Sequence, residues 1–240
     1  MSTVAFVCFI GISYLCLLQR FTYYMKSEYS FDELLCQSLQ LFRQSRLYGD
    51  EPECEDRASL MLKEAQDIAS DSKDYICMAK WGCVVECLGQ NFYINDETDK
   101  LLGDMDVSLV SFWKKAVHSE IAVFPFYLWI GYYFLLRCRN SQSAFRSRSK
   151  REITEIVSFL AEVFRKFKNK AIPIEALSFF PADLWGETVC WAELVHDTRV
   201  CEKQSAYLLT QLYNLKKVGV SQEESEESVL LKQILEFYCF

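Results

Sequence analysis

Apolar residues recur along most of this chain at the three-to-four-residue spacing of amphipathic helices. The first such segment follows Ser30, which can cap a helix, with Glu33 three residues later completing a capping box. Its apolar positions include Leu34, Leu35 and Leu39. The same reasoning predicts helices over about 31–42, 55–68, 74–92, 107–118, 121–136, 204–215 and 229–240, with a short helix near 98–102.

Turn-forming residues are scarce, with only 8 Gly and 4 Pro among 240 residues. Sheet proteins need frequent turns, and turns draw heavily on both residue types. The composition therefore predicts an all-α fold of long helices joined by short connections.

The N-terminal segment 3–18 contains no charged residue, and Arg20 and Lys26 follow it. We expect residues 1–27 to form a hydrophobic membrane-anchor helix, although a buried core helix or a cleaved signal peptide also fits the pattern. By the positive-inside rule, the part after the anchor faces the cytosol. We therefore expect a single-pass membrane protein with a cytosolic domain, on an organelle that the sequence does not identify.

Two short motifs occur twice. The stretch VFPFYLW (123–129) is echoed 56 positions later by FFPADLW (179–185), and QSAF (142–145) is echoed by QSAY (204–207). Proline suits the first turn of a helix, so the first motif is typical of a helix start. The repetition predicts tandem helical hairpins, either as an α-solenoid or as a bundle, with chance recurrence as the alternative.

The run 121–136 is 16 residues long and uncharged, so it is either a buried helix or a second membrane span. The echoed copy contains Asp183, Glu187 and Glu193, which a membrane span would not tolerate. If the two copies are equivalent, 121–136 is a buried helix. We expect three regions: the anchor at 1–27, a helical-hairpin domain at 28–220, and an acidic linker with a C-terminal amphipathic helix at 221–240.

The net charge of −7 is unevenly distributed. Between Arg137 and Lys170 there are ten basic residues and three acidic ones, a local charge of +7, and the rest of the chain therefore carries −14. That acidic remainder disfavours nucleic acid as a partner. The basic residues either cover a solvated helix face and a basic loop at 146–151, or bind an acidic protein or anionic lipid headgroups. The candidate patch comprises Arg146, Arg148, Lys150, Arg151, Lys166 and Lys168.

The 11 cysteines are odd in number and irregularly spaced, and no Asn-x-Ser/Thr site occurs. Both features favour reduced cysteines packed as small hydrophobic residues. Glu193, His196 and Asp197 could together bind a metal, but a surface helix face is the favoured interpretation, since no second His and no CxxC motif supports a metal site. Since no nucleotide-binding, hydrolase or metalloprotease motif is present, we expect no catalytic residue, metal or cofactor.

The stretch 88–92 (LGQNF) resembles the Leu-Gly-x-x-aromatic core of tetratricopeptide repeats, which implies helical-repeat architecture. More faintly, 76–81 (ICMAKW) and 201–205 (CEKQS) are similar to stretches in the C-terminal regulatory domain of sterol regulatory element-binding proteins. We therefore expect a membrane-tethered, cytosol-facing, non-catalytic scaffold that binds a partner protein. The alternatives are a regulatory domain like that of sterol-responsive transcription factors and an enzyme with a buried cysteine site.

Overall fold

The computed structural model of this protein shows only α-helices as regular elements in the part of the chain that it describes. The all-α prediction is therefore confirmed at that level, while the predicted anchor lies outside the described residues. The described ranges are 29–47, 52–94, 98–117, 124–168, 185–215 and 226–238.

Nine helices fall within these ranges, and we number them in chain order. They are α1 (Phe31–Leu47), α2 (Pro52–Ser72), α3 (Tyr75–Gln90), α4 (Thr98–Val117), α5 (Phe124–Arg139), α6 (Arg146–Lys168), α7 (Trp185–Asp197), α8 (Glu202–Leu215) and α9 (Glu226–Tyr238).

Helix α3 lies at the centre of the packing and contacts α1, α2, α4, α5 and α9. Helix α1 packs along α2, α5 packs on α6, and α8 packs on both α6 and α7. The last helix returns to the first, because α9 packs against α1 as well as α3. One continuous hydrophobic core results, with contributions from all nine of these helices.

The apolar run at 121–136 supplies helix α5, whose residues from Tyr127 to Cys138 are all buried. Trp129 is 1% exposed, as predicted for a core helix. Gly131 allows close approach of α7, because a Cβ atom there would lie 2.8 Å from the buried Trp191 ring. Nowhere in the described ranges does a helix combine the length and apolarity that crossing a membrane requires.

Two predicted helix boundaries were wrong. The helix predicted at 55–68 extends over Pro52–Ser72, because Pro52 suits a helix start and Lys73, at φ 53°, ends the helix after Ser72. The segments predicted at 98–102 and 107–118 form the single helix α4. Asp106 lies in its middle without disrupting it, because Arg137 and Tyr133 bind the buried carboxylate.

Only the second of the two repeated motifs can be compared between its copies in the described residues. Phe124 begins α5, whereas Pro181 lies outside the described residues. Residues 142–145 form the turn that precedes α6, but 204–207 lie inside the first turns of α8. The second motif therefore does not mark the same structural position in its two copies.

Candidate partner-binding groove

An open groove of about 580 Å³ lies where α3 and α5 end and α4 and α6 begin. Its walls come from three segments: the end of α3 with the following turn, the start of α4, and the α5–α6 turn. We call this the groove, and its lining residues are Gly89, Gln90, Phe92, Ile94, Thr98, Asp99, Arg139, Asn140, Ser141, Gln142 and Ser143.

Helix α3 ends in a Schellman motif that places Phe92 in the left-handed region at φ 59°. The Phe92 N–H donates to the Gly89 carbonyl at 3.1 Å, and the Tyr93 N–H donates to the Leu88 carbonyl at 2.9 Å. Glycine is the usual residue at such a position, because a Cβ atom is strained there. Phe92 is nevertheless 78% exposed, so packing of its ring does not explain why phenylalanine rather than glycine occupies this position.

Hydrogen bonds tie the α5–α6 turn to the start of α4. Asp99 accepts from the Ala144 N–H at 2.7 Å and from the Ser143 hydroxyl at 2.9 Å. The Asn140 side chain accepts from the Gln142 N–H at 3.0 Å. Two walls of the groove are thus held together by their own polar side chains.

A buried ionic cluster lies beneath the groove, centred on Arg137 with Glu86, Asp99 and Asp106. The Arg137 side chain is 1% exposed. Its Nη1 lies 3.0 Å from Glu86, and its Nη2 lies 2.6 Å from Asp106 and 2.7 Å from Asp99. Three carboxylates therefore surround one guanidinium group.

Lining residues complete the hydrogen bonding of this ionic cluster. Asn140 Nδ2 and Gln90 Nε2 donate to Glu86 Oε1 at 2.7 and 2.8 Å. Gln90 Nε2 also donates to the Leu136 carbonyl at 3.0 Å. Tyr133 donates its hydroxyl proton to Asp106. The groove surface and the buried cluster consequently form one connected network, which favours a rigid site.

The cluster shifts the pKa values of its members in opposite directions. Burial raises the pKa of Asp106 despite hydrogen bonds from Arg137 and Tyr133. Partial burial also disfavours the Asp99 anion, but hydrogen bonds from the Ala144 N–H, Arg137 and Ser143 prevail and lower its pKa. Burial alone would lower the pKa of Arg137, but its hydrogen bonds to Asp106 outweigh this and raise the pKa. The guanidinium therefore stays protonated.

The basic segment 146–151, predicted as a loop, forms the first turns of α6 instead. The helix start is favoured because Ser143 Oγ accepts from the Phe145 N–H at 3.1 Å while Asp99 anchors the preceding turn. Of the candidate patch, Arg146, Lys150 and Arg151 are exposed here. Lys166 lies about 22 Å from Arg151 along the axis of α6. The side chain of Lys168 lies outside the described residues.

Two of these basic side chains, Arg148 and Arg151, lie close to the carboxylate of Glu152, which is 0% exposed. Arg148 Nε lies 2.5 Å from Glu152 Oε1 as an ion pair without good hydrogen-bond direction. Arg151 and Lys114 each have a nitrogen 3.6 Å from Glu152, and Trp113 Nε1 donates to it at 2.8 Å. Sequence reasoning missed this site, although the four-residue spacing of Arg148 and Glu152 was visible.

None of the cysteines in the described part of the chain forms a disulfide, and several of their thiols have raised pKa values. Burial, helped by Asp74, raises the pKa of Cys77 to about 12, and burial raises that of Cys201 to about 11. Burial also raises the pKa values of Cys83, Cys87 and Cys138. These groups are poor nucleophiles at neutral pH.

His196 and Glu193 have separate hydrogen-bond partners. His196 Nδ1 lies 3.0 Å from the buried Ser205 hydroxyl, and Glu193 accepts a hydrogen bond from Tyr213. Across the described ranges, no group of three or more His, Cys, Asp or Glu residues has the geometry to hold a metal ion.

Comparison with known proteins returned no matching family model, no matching curated protein and no matching solved structure.

Proposed function

We propose that this chain is a non-catalytic, helical scaffold, tethered to a membrane by residues 3–18, whose cytosolic domain binds a segment of a partner protein in the groove. The observation that carries the proposal is the open groove of about 580 Å³ above the buried Arg137 cluster. The tether and the cytosolic orientation rest on the uncharged segment and the basic residues after it.

Preorganisation supports the binding role. Asp99, Gln90 and Asn140 line the groove and also bond to the cluster beneath it. A surface whose side chains are already fixed loses little conformational entropy when a ligand binds. The network therefore provides the preorganised polar surface that a recognition site requires.

The proposal extends to the arrangement of the helices. The consecutive pairs α1–α2, α5–α6 and α7–α8 pack against each other, as helical hairpins would. The contact of α9 with α1 brings the two ends of the described helices together. We therefore favour a closed bundle of hairpins over an open solenoid.

Site-specific photo-cross-linking of the full-length chain tests the binding role. A benzophenone amino acid at Gln142, an exposed lining residue, should give discrete cross-linked products in cells. The matched control is the same probe at Lys63, which is exposed on α2. Equal product patterns from both positions, or none from Gln142, would contradict the proposal. Recovery of the full-length chain in the soluble fraction would contradict the tether.

A further inference from the structure

We propose that a basic face on α4 and α6 rests on the anionic cytosolic leaflet of the membrane that holds the tether. This face lies outside the groove, and its assignment rests on the membrane tether of the proposed function. Three observations support it: a convergence of cationic side chains, an uneven charge distribution over the helices, and the end of the bundle at which α1 begins. The basic face comprises Lys114, Lys115, Arg148 and Arg151.

Three cationic side chains from two helices converge on the basic face. Lys114 belongs to α4, whereas Arg148 and Arg151 belong to α6. Each places a nitrogen within 3.6 Å of the buried carboxylate of Glu152. Their side chains are 38%, 40% and 54% exposed, so their charge also faces solvent. Glu155 adds one carboxylate 3.4 Å from Lys114, so the four cations of the face meet two carboxylates and keep a net charge of +2.

Charge is distributed unevenly over the helices. Helix α6 contains seven basic and three acidic residues, a charge of +4, whereas α2 contains two basic and six acidic residues, a charge of −4. The two helices have different neighbours, since α6 packs on α5 and α8 while α2 packs on α1 and α3. An anionic leaflet attracts α6 and repels α2, and it therefore favours one orientation of the domain.

Helix α1 begins at the end of the bundle that carries the lysines of the basic face. Asp32, in the first turn of α1, pairs with Lys80 of α3 at 2.7 Å. Tyr75, the first residue of α3, stacks on Phe112 of α4 with the ring centroids 3.8 Å apart. These contacts connect the start of α1, through the start of α3, to the last turns of α4. The two lysines follow Phe112 within one turn of that helix.

The tether keeps this end of the domain near lipid. Twelve residues, 19–30, separate the uncharged segment 3–18 from Phe31. Even a fully extended chain of that length spans at most about 45 Å. The lipid surface is therefore present at a high effective concentration, and a modest positive charge is sufficient for docking. An acidic protein would have to be recruited from solution, and for this reason we favour the leaflet as the occupant.

Lipid cross-linking of the full-length chain in vesicles tests the assignment. The vesicles contain phosphatidylcholine alone or phosphatidylcholine with phosphatidylserine. A benzophenone amino acid replaces Ser111, which is exposed on α4 one turn before Lys115. We expect abundant lipid adducts in the anionic vesicles and few in the neutral ones. The same probe at Lys63 of α2 should give few adducts in both, because that helix is acidic.

Charge variants test whether the basic face itself is responsible. Lys115→Gln with Arg151→Gln should lower the adduct yield in anionic vesicles at least about fivefold, because each basic residue near an anionic leaflet strengthens association about fivefold. Lys115→Arg with Arg151→Lys keeps both charges and should keep the yield. The matched control, Arg57→Gln with Lys63→Gln, removes the same charge from α2 and should not lower the yield.

Equal adduct yields in neutral and anionic vesicles, or an equal loss in the two neutralised variants, would overturn the assignment. Protein adducts in place of lipid adducts, when the Ser111 probe is used in cells, would also overturn it, since an acidic protein would then be the occupant. Flotation of the chain with vesicles of both compositions reports the tether independently. Without flotation the tether and the assignment both fail, whereas flotation without lipid adducts contradicts the assignment alone.

Discussion

Arg137→Met should be among the most destabilising substitutions in this fold. Met retains much of the aliphatic length of Arg but removes the charge from a side chain that is 1% exposed. Glu86 and Asp106, 0% and 2% exposed, would then keep buried carboxylates without a countercharge. Removing one partner of a buried ion pair costs about 3–5 kcal/mol. That is a large fraction of the ~5–15 kcal/mol that stabilises a typical domain.

Urea unfolding of the full-length chain in detergent, followed by far-UV circular dichroism, measures this loss. Arg43→Met is the control, because Arg43 pairs with Glu236 at 3.1 Å with both side chains nearly half exposed. Such a surface pair contributes about 0–1 kcal/mol. Adding Glu86→Gln and Asp106→Asn to Arg137→Met should recover part of the loss, since only the partly exposed carboxylate of Asp99 would then remain without its countercharge.

The pH dependence follows from the sign of the Asp106 shift. Its pKa is already raised by burial, and loss of Arg137 should raise it further. A group with a raised folded-state pKa loses stability as pH rises through that pKa. The deficit of Arg137→Met should therefore be largest at neutral pH and shrink toward pH about 4. A deficit below about 1 kcal/mol at neutral pH, or one independent of pH, would refute the assigned role of the cluster.

Three further predictions concern packing and thiol chemistry. Gly131→Ala should lower the urea midpoint clearly, because the new Cβ would lie 2.8 Å from the buried Trp191 ring, whereas Gly103→Ala, with no atom within 4 Å, should not. Trp129→Ala should cost about 3–5 kcal/mol in the same assay, and an equal loss for Trp185→Ala would support equivalence of the repeated motifs. Iodoacetamide should label Cys77, Cys83 and Cys201 slowly in the native protein at pH about 7, because burial raises their thiol pKa values; one rapidly labelled thiol among them would favour the enzyme alternative.

Local patterns in the sequence predicted many of the helices, although the first turns of α6 were predicted as a basic loop. The scarcity of Gly and Pro indicated an all-α chain, and the uncharged run at 121–136 indicated either a membrane span or the buried helix that the structure shows as α5. The interruption predicted between 102 and 107 was wrong for a physical reason. A buried aspartate without partners would disfavour a helix at this point. The carboxylate of Asp106 is instead bound by Tyr133 and Arg137, which lie on another helix.

The groove could not be predicted in the same way, because its residues come from two regions of the chain, 89–99 and 139–143, that are far apart in sequence. Glu86 and Arg137 are each visible in the sequence as a charge within or beside an apolar stretch. Nothing in that pattern indicates that they lie 3.0 Å apart. The strain at Phe92 is also a property of the folded backbone, since the motif LGQNF shows only that a helix could end there.

Hydrogen–deuterium exchange of the full-length chain would test the central claim most directly. The chain would be measured in membranes isolated from its cells and, for comparison, purified in detergent. If the groove binds a partner, amides in 91–94 and 139–143 should exchange more slowly in the membranes, while those of α2 around Lys63 should be unchanged. Equal exchange of both groove segments in the two preparations, or slowing confined to α7 and α8, would contradict the claim.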